Sequence, residues 1–267
     1  MDRCRRRPFN TPVRSRPRNP LPAGWDADSL RDPHGQPDKA ARVRAMFDEI
    51  APVYERFNTL ATLGRDAAWR RKAVAVAGVR AGDVVLDLCC GTGDMLRALA
   101  RAAPTARLFI GIDFAANMLA HASRTEMEFS FMQADAQRLP LGDRSVDVIT
   151  CAFGVRNFRD LQAGLEEMYR VARPGARVVI LEFAIPENAL WRWAYGLYCN
   201  TVLPWIGALL SRGRSGAYRY LPRSIHTFEP AAALARRLED AGFQCVQYWP
   251  LNFGGVILYR GVRPADG

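Results

Sequence analysis

A turn rich in glycine is the part of the sequence best suited to hold a ligand. An apolar run at residues 84–88 leads into Gly91, Thr92 and Gly93, and a helical pattern follows at residues 95–103. Glycine lets a backbone approach a ligand closely, because no Cβ intervenes and unusual φ angles cost little. Cofactors of open α/β sheets bind at the carboxyl end of such a strand. The stretch therefore predicts a strand, a tight turn and a helix that together bind a cofactor.

Carboxylates make this turn a poor site for a phosphate group. Asp87 and Asp94 flank the glycines, whereas a diphosphate loop has the pattern GxGxxG or GxxxxGK[ST], with backbone N–H groups and often a lysine. Here the glycine spacing stops at Gly91-x-Gly93. A turn flanked by carboxylates suits a cationic ligand instead. The obvious candidate is S-adenosyl-L-methionine (SAM), which carries an ammonium and a sulfonium.

Two further predicted strands end in acids. Residues 107–113 end in Asp113, about 20 residues past the glycine turn, where a carboxylate can accept from ribose hydroxyls. Residues 128–136 contain Asp135, which could accept from an adenine amino group. A fourth, buried strand is predicted at residues 145–153. NAD-binding folds also use an acid like Asp113, and a single acid is usually a helix N-cap or a loop residue. The joint spacing nevertheless favours a SAM-dependent methyltransferase over a dehydrogenase.

Size and composition indicate one globular protein of a reducing compartment. The chain has 267 residues, of which 49% are hydrophobic, so it can hold one sizeable core. No apolar run approaches the ~20 residues that span a bilayer, and prolines interrupt the basic N-terminus, which speaks against a secretory signal. The six cysteines include no CxxC pair, so no metal site is expected. These features predict a cytoplasmic protein.

Positive charge is concentrated near the N-terminus. The net charge is +10, and arginine carries nearly all of the positive part, since Lys39 and Lys72 are the two lysines. Such a balance can serve nucleic acid or an anionic membrane surface. Residues 1–38 are rich in arginine and proline and have few large apolar residues. This composition predicts a disordered basic tail, followed by one domain at residues 39–267.

Hydrophobic periodicity predicts the remaining elements of the domain. Helices are expected in five further segments, at residues 41–57, 65–77, 115–123, 160–172 and 230–241. Strands are expected in three, at residues 177–183, 243–249 and 255–262.

An insertion at about residues 184–229 does not belong to the plain α/β pattern. It combines tryptophans and tyrosines with leucines, and it ends in arginines. This mixture suits a lid over an apolar substrate at a membrane surface. An ordinary helical insertion packed on the sheet and a dimer interface are the alternatives.

Several motifs resemble one family, the ubiquinone/menaquinone biosynthesis C-methyltransferases, and the resemblance runs from about residue 43 to residue 263. Residues 54–58 (YERFN) with Trp69 are similar to its first signature, and residues 168–175 (MYRVARPG) to its second. Residues 153–157 (FGVRN) and residues 218–221 (YRYL) match two more blocks that other methyltransferases with the same glycine loop do not share.

The chain departs from the family pattern at a few positions. Glu55 stands where the family usually has Asp, Thr62 where it has Ser, and Asp66 where it has His. Ala176 replaces the last glycine of the second signature, and Ala152 stands where some relatives have a serine. The change at position 66 puts a catalytic role of that position in doubt, and none of the departures removes the glycine turn.

The resemblance implies a fold and a cofactor. The fold is a class I SAM-dependent methyltransferase, an α/β protein with a mostly parallel seven-stranded, Rossmann-like sheet and helices on both faces. N-terminal helices and the helical insertion after the fifth strand complete it. The cofactor residues that the resemblance implies are Thr92, Asp113, Asp135, Ala136 and Ala152. The turn argument adds Asp87, Gly91 and Gly93, and Met118 is a further candidate to pack on adenine, with a core methionine as the equal alternative.

The reaction implied by the resemblance is methyl transfer from SAM to a ring carbon of a polyprenyl quinol. Arg156 is expected to stabilise the phenolate that makes the ring carbon nucleophilic, with a structural ion pair as the alternative. Asn157 is expected to orient the hydroxyl, and Tyr54 to cover the cofactor. The partners expected are this quinol, an anionic membrane in peripheral contact and a second copy of the chain, but no nucleic acid.

Two quinols fit this reaction, and two other functions compete with it. Demethylmenaquinol ranks before the methoxy-polyprenyl-benzoquinol precursor of ubiquinone. An RNA methyltransferase is one rival, but residues 153–157 lack the Asn-Pro-Pro-aromatic turn that base-nitrogen enzymes often carry. A SAM-binding protein without catalysis is the other, and the FGVRN block weighs against it.

Overall fold

A twisted, mostly parallel sheet forms the centre of the computed structural model, which describes residues 24–123, 129–211 and 216–266. Within these residues the strand order is β3-β2-β1-β4-β5-β7-β6, and β7 runs antiparallel to both of its neighbours. The strands are β1 Val84–Leu88, β2 Leu108–Asp113, β3 Ser130–Gln133, β4 Val146–Ala152, β5 Ala172–Phe183, β6 Gln244–Leu251 and β7 Val256–Val262. The seven-stranded, mostly parallel sheet predicted from the sequence is confirmed.

Helices cover both faces of this sheet. They are α1 Lys39–Ile50, α2 Tyr54–Ala61, α3 Arg65–Ala77, α4 Asp94–Ala102, α5 Ala116–Ala122, α6 Leu161–Val171, α7 Ala189–Ser211, α8 Ala217–His226 and α9 Ala231–Asp240. Apolar residues of α3 and α4 form the core on one face, and those of α6 and α9 form the core on the other. Neighbouring residues of β1 divide accordingly, with Val85 in the first core and Leu86 in the second, as in a strand buried on both sides.

Two elements differ from the sequence prediction for reasons that the structure shows. The single helix expected at residues 41–57 is broken by a 3₁₀ turn at Ala51–Val53, because Pro52 has no N–H to continue the helical hydrogen bonds. Strand β5 begins at Ala172 instead of residue 177, since Ala172 already pairs with Val146 ahead of an irregularity in the ladder.

Successive strands are added on one side of β1 up to β3 and on its other side from β4 onward. Strand β1 pairs with β2 on one side and with β4 on the other, so Asp87 lies opposite Gly111 and Thr150. In open α/β sheets a ligand binds in the crevice outside the carboxyl ends of the strands at such a switch point. The carboxyl ends of β1, β2 and β4 therefore define where the site must be.

The N-terminal strap, defined here as residues 24–38, packs against the domain. Trp25 and Leu30 are buried, and the ring of Trp25 stacks on Tyr220 of α8 with centroids 4.3 Å apart. The sequence prediction of a disordered tail is therefore wrong for these residues. The composition of the segment is polar, but its two large apolar side chains, Trp25 and Leu30, are buried against the domain. The rest of the predicted tail, residues 1–23, lies outside the described residues.

Two helices, α7 and α8, lie between β5 and α9, where the sequence indicated an insertion. The arginines at positions 212 and 214, expected at its basic end, lie outside the described residues. In the described part of the chain, no helix combines the length and the apolar character that crossing a membrane requires.

Candidate active site

The glycine turn is held to the end of β2. Gly91 and Gly93 have φ angles of 54° and 88°, which a side chain would disfavour. The backbone N–H of Gly91 donates to Asp113 Oδ2 at 2.9 Å, and the N–H of Ala115 donates to Oδ1 at 2.9 Å. Burial raises the pKa of Asp113 to about 6, although these backbone donors oppose the shift. Asp113 therefore positions the turn as well as facing the crevice.

Asp87 is the buried acid beneath the turn. It is 1% exposed, and Thr150 Oγ1 donates to its Oδ1 at 2.7 Å. Its Oδ2 is buried and has no hydrogen-bond partner within the described residues. Burial, with the negative charge of Asp113, raises the pKa of Asp87 to about 7, although the hydrogen bond from Thr150 and the charge of Arg70 oppose the shift. An unpartnered carboxylate oxygen fits a cationic or N–H-donating ligand, as the sequence argument requires for SAM.

Asp94 contributes less to the acidity of the turn than the sequence suggests. Its carboxylate pairs with Arg97 at 2.5 Å and with Arg70 at 3.4 Å. Its charge is therefore balanced by the protein, and Asp87 remains as the acid that a ligand could neutralise.

A narrow pocket of about 30 Å³ opens at the switch point. It brings together three of the predicted cofactor residues, Asp113, Asp135 and Ala136, with Asn157 on the facing wall. Asp135 is exposed, and its Oδ1 accepts from the backbone N–H of Gln137 at 2.9 Å. The ends of β2 and β3 thus supply acids to one crevice.

The other predicted cofactor residues lie around this pocket or away from it. Thr92 is buried in the turn, and its carbonyl accepts from Arg97. Ala152 ends β4 and is partly buried. Met118 is 1% exposed in an apolar cluster with Ala115 and lines neither this pocket nor the cavity described next. The alternative of a core methionine accounts for the position of Met118.

A much larger cavity, of about 320 Å³, adjoins the turn. Its walls come from α2, α3, α7, α8 and the carboxyl ends of β4 and β5, and its larger side chains include Tyr54, Phe57, Trp69, Phe153, Phe183 and Tyr195. Tyr54 also approaches the glycine turn, since a Cβ built on Gly91 would lie 3.7 Å from the Tyr54 ring. Tyr54 therefore lies where the turn and the cavity meet.

Asp66 is one of the departures from the family pattern, and it lines this cavity. Thr62 Oγ1 donates to Asp66 Oδ1 at 2.9 Å, and Arg70 pairs with Oδ2 at 2.5 Å. The two residues that depart from the family pattern, Thr62 and Asp66, are therefore hydrogen-bonded to each other.

The turn after β4 carries a buried ion pair. Arg156, 4% exposed, donates from Nη1 to Glu182 Oε1 at 2.6 Å and to the Phe153 carbonyl at 2.6 Å. Burial alone would lower the pKa of Arg156, but Glu182 and the nearby Tyr220 and Tyr54 keep it above its ordinary value. The ion pair weighed as an alternative therefore exists, and Arg156 also lines the cavity.

Close packing explains the glycine of the FGVRN block. A Cβ on Gly154 would lie 2.6 Å from Cys89 Cβ and 2.7 Å from Cys151 Sγ, closer than carbon and sulfur can approach. Cys89 and Phe153 both have positive φ angles, 57° and 59°, at the ends of β1 and β4. Strained backbone of this kind occurs at functional sites and must be held by surrounding structure.

Asn157 faces the smaller pocket, not the cavity. Its Oδ1 accepts from the hydroxyl of Tyr220 at 2.8 Å, and its Nδ2 donates to the Phe153 carbonyl at 3.3 Å. Tyr220, in turn, lines the cavity. Asn157 is therefore linked to the cavity through Tyr220, and its contact with a quinol hydroxyl stays a prediction.

Sequence reasoning missed the roles of Glu182 and Tyr220. Tyr220 lies in the YRYL block and Glu182 near the end of β5, but a strand residue and a helix residue so far apart in sequence give no local signal that they meet Arg156 and Asn157. An acid directly after an apolar run, as Glu182 is after residues 178–181, was the available hint, because buried acids are paired.

Comparisons with known proteins agree with this geometry. The model of the ubiE/COQ5 methyltransferase family matches residues 36–263. A demethylmenaquinone methyltransferase of Thermus thermophilus is 44% identical over 82% of this chain and 100% of its own length. One of Deinococcus radiodurans is 43% identical over 84% of this chain and 93% of its own.

A solved structure shares the fold at low identity. A SAM-dependent methyltransferase of Thermotoga maritima superposes with a TM-score of 0.57 at 15% identity, covering 82% of this chain and 98% of that one. The family resemblance predicted from the motifs is thus confirmed. The chain belongs to the ubiE/COQ5 methyltransferase family and uses S-adenosyl-L-methionine as its methyl donor.

Proposed function

We propose that the chain transfers a methyl group to a ring carbon of demethylmenaquinol, in the synthesis of menaquinone. One observation carries the proposal: the turn Val155–Asn157 borders both sites, with Arg156 on the large apolar cavity and Asn157 on the narrow pocket at the switch point. A hydrophobic methyl acceptor and a nucleoside methyl donor can therefore meet at this turn, which carries the buried charge of Arg156. The names of the relatives, both demethylmenaquinone methyltransferases, favour this quinol over the ubiquinone precursor.

The donor is expected to lie across the glycine turn. Asp87 would receive its positive charge, Asp113 its ribose hydroxyls and Asp135 its adenine amino group. When bound, SAM supplies an electrophilic methyl group. The residues of this chain then have to orient the ring carbon, exclude water and stabilise charge on the ring oxygen, and alignment alone can contribute ~7–11 kcal/mol toward lowering the barrier.

Arg156 is the group placed to stabilise the phenolate. A guanidinium keeps its protons at neutral pH, so it acts as a donor and not as a base. Glu182 and the Phe153 carbonyl use Nη1, which fixes the plane of the guanidinium, while Nε and Nη2 make no hydrogen bond within the described residues. The phenol proton leaves to water held at this site.

Tyr220 and Tyr54 complete the polar wall of an otherwise apolar cavity. The Tyr220 hydroxyl donates to Asn157, so its oxygen remains free to accept from a ring hydroxyl of the substrate. Burial raises the pKa of Tyr220 and of Tyr54, which keeps both hydroxyls protonated. Tyr54 covers the glycine turn and separates the donor from solvent.

Methyl transfer to different acceptors tests the proposal. The purified protein is incubated with methyl-labelled SAM and demethylmenaquinol, demethylmenaquinone, the methoxy-polyprenyl-benzoquinol or total RNA. Label is expected in the first quinol and not in the oxidised quinone, because the latter has no ring hydroxyl to ionise. Label in RNA alone, or equal labelling of quinol and quinone, would overturn the proposal.

Variants of Arg156 test its role. Arg156→Ala should lose at least 10²-fold in kcat while calorimetry still detects SAM binding, since removal of a single oxyanion donor costs about this much. Arg144→Ala is the matched control, because Arg144 is exposed and paired with Asp266 far from the cavity. Equal turnover of Arg156→Ala and the control would remove the residue from the mechanism.

The proposed function includes docking on a lipid surface through α7. Exposed apolar side chains cluster on this helix and its neighbour Phe253: Leu190, Trp191, Trp193, Leu197, Trp205 and Phe253. Trp191 and Phe253 stack with centroids 3.9 Å apart and also line the cavity. Trp191 and Phe253 thus connect the patch to the cavity proposed for the prenylated quinol, and Arg192 on α7 and Arg219 on α8 are exposed, as contact with anionic headgroups requires.

Vesicle binding distinguishes this surface from a dimer interface. Trp193→Ser/Trp205→Ser should lose co-sedimentation with phosphatidylglycerol vesicles and turnover of long-chain quinol in them, but keep turnover of a soluble short-chain quinol. Tyr248→Ser is the control, because Tyr248 is an exposed aromatic residue on β6. If light scattering shows a dimer that this double variant dissociates, the patch is an interface between copies.

A further inference from the structure

Lys39 is buried against the turn that carries Arg156 and Asn157. At 3% exposure, its ammonium donates to the Arg156 carbonyl at 3.0 Å and to the Phe158 carbonyl at 2.5 Å. The third contact of Nζ is with His34 Nδ1 at 3.2 Å. An ammonium has three N–H groups, so each has one acceptor, and the two carbonyls flank Asn157 on either side.

His34 extends this contact to helix α8. Its Nε2 lies 2.9 Å from the carbonyl of Ser224, which can only accept, so Nε2 carries the proton. Nδ1 is then the acceptor for Lys39, and the ring is neutral. Hydrogen bonds through Lys39 and His34 thus connect the turn, the N-terminal strap and α8, and every N–H of the ammonium and both ring nitrogens of His34 take part.

Other contacts keep the N-terminal strap in this position. Trp25 stacks on Tyr220, and Arg223 Nε donates to the Leu30 carbonyl at 3.0 Å. Tyr220, Arg223 and Ser224 are neighbours on α8, so the N-terminal strap runs along one side of this helix. Tyr220 is also the residue that donates to Asn157.

The electrostatics of the two groups agree with these roles. Burial and the guanidinium of Arg156 together lower the pKa of Lys39 to about 8, while Asp32 opposes the shift. Burial also lowers the pKa of His34, as does Lys39, while the Ser224 carbonyl and Asp32 raise it and Arg156 lowers it. At neutral pH the lysine is therefore charged and the histidine neutral, as the hydrogen bonds require.

We propose that Lys39 is a positioning residue for methyl transfer: with His34, it fixes the Arg156 and Phe158 carbonyls and so the orientation of Arg156 and Asn157 toward donor and acceptor. The inference rests on the proposed function of that turn. An ammonium is needed because it alone satisfies both carbonyls and His34 together; a methylene chain of equal length leaves all three without a donor.

The test compares Lys39→Met with Lys72→Met, a control that removes the other lysine of the chain, exposed on α3. Misplacement of reacting groups by about 1 Å can cost 10²-fold in rate, so Lys39→Met should lower kcat by about 10–100-fold at pH 7. SAM affinity measured by calorimetry should change little, because Lys39 does not touch the glycine turn. Lys72→Met should match the wild type.

The pH dependence separates positioning from packing. As pH rises from 7 to 9.5, Lys39 of the wild type loses its charge and one N–H, so the kcat ratio of wild type to Lys39→Met should fall. Ionisation of the quinol affects both proteins equally and cancels in this ratio. A ratio that stays constant with pH indicates packing alone and overturns the proposal.

Further measurements keep the inference testable if Lys39→Met does not fold. His34→Gln retains an acceptor and a donor and should keep most of the activity, whereas His34→Leu should lose it; equal activities overturn the role of His34. Hydrogen exchange of the amides in residues 153–160 should be faster in His34→Leu.

The two proposals fail in different ways. If the wild type methylates no quinol, the proposed function fails, while faster exchange of residues 153–160 in the Lys39 and His34 variants still supports the positioning role. If Arg156→Ala is inactive but Lys39→Met turns over quinol like the wild type, only the positioning role is overturned.

Discussion

The ion pair of Arg156 and Glu182 allows stability and catalysis to be measured separately. Its side chains are 4% and 1% exposed, so neither charge is compensated by water when the other is removed. Removing one partner of a buried pair costs about 3–5 kcal/mol, a large part of the ~5–15 kcal/mol by which a typical protein is stable. We expect this loss in Glu182→Ala, which leaves the Arg156 charge buried and the Phe183 N–H without its acceptor.

Urea unfolding followed by fluorescence measures the loss, and thermal unfolding should show a decrease in Tm of about 6–20 °C at ~2–4 °C per kcal/mol. The control is Arg144→Ala, whose pair with Asp266 is 53% and 61% exposed and is expected to contribute no more than about 1 kcal/mol. Because an apolar pair can replace a buried ion pair without loss of stability, Arg156→Met/Glu182→Met should recover the stability lost in Glu182→Ala.

The double variant should nevertheless be inactive, since no donor for the phenolate remains. Two results would refute the reasoning. If Glu182→Ala is destabilised no more than the Arg144 control, the pair does not need mutual compensation. If the stable double variant still methylates quinol at the wild-type rate, Arg156 has no catalytic role.

Three further predictions follow from the site. The pKa of Asp87 is raised from 3.8 to about 7, so the folded protein without ligand binds a proton that the unfolded chain releases, and its free energy of unfolding should fall as pH rises from about 4 to 7; Asp87→Asn should reduce this slope, of which Asp113 supplies a further part below pH 6, and, in calorimetry, weaken SAM binding most above pH 7. Gly154→Ala should lose about 1–3 kcal/mol by overpacking, whereas Gly142→Ala, with open space around its Cα, should lose less than 0.5 kcal/mol in urea unfolding. Tyr220→Phe should lower kcat and cost about 0.5–1.5 kcal/mol, because Asn157 loses its donor; unchanged kcat would contradict the role of Tyr220.

Much of the fold could be predicted from the sequence because its strands are short, apolar and followed by acids or glycine. Residues 84–88 and 65–77 have the predicted boundaries, since Gly78 and the Gly91 turn end them sharply. The family resemblance predicted a mostly parallel seven-stranded sheet, and the structure adds the order of its strands. The break at Pro52 was missed because apolar spacing continues across it.

The site could be predicted only in part. The glycine turn and the strand-end acids are local features, and they do meet at the switch point. Arg70, which pairs with Asp94, and Glu182, which pairs with Arg156, come from elements that are distant in sequence from their partners, and no period or composition encodes such pairing. The N-terminal strap was assigned to a disordered tail for the same reason, since Trp25 and Lys39 acquire their roles only through α8 and the Arg156 turn.

The shared position of the turn Val155–Asn157 has a consequence for inhibitor design. In the proposed function donor and acceptor come into direct contact there, so one compound that joins an adenosine-like head to a short isoprenoid tail should bind across both sites. Tethering makes the second contact intramolecular, with an effective concentration in the millimolar range for a short linker. Such a bisubstrate compound would gain selectivity over enzymes that bind the same nucleoside but have no cavity of about 320 Å³ lined by aromatic side chains beside it.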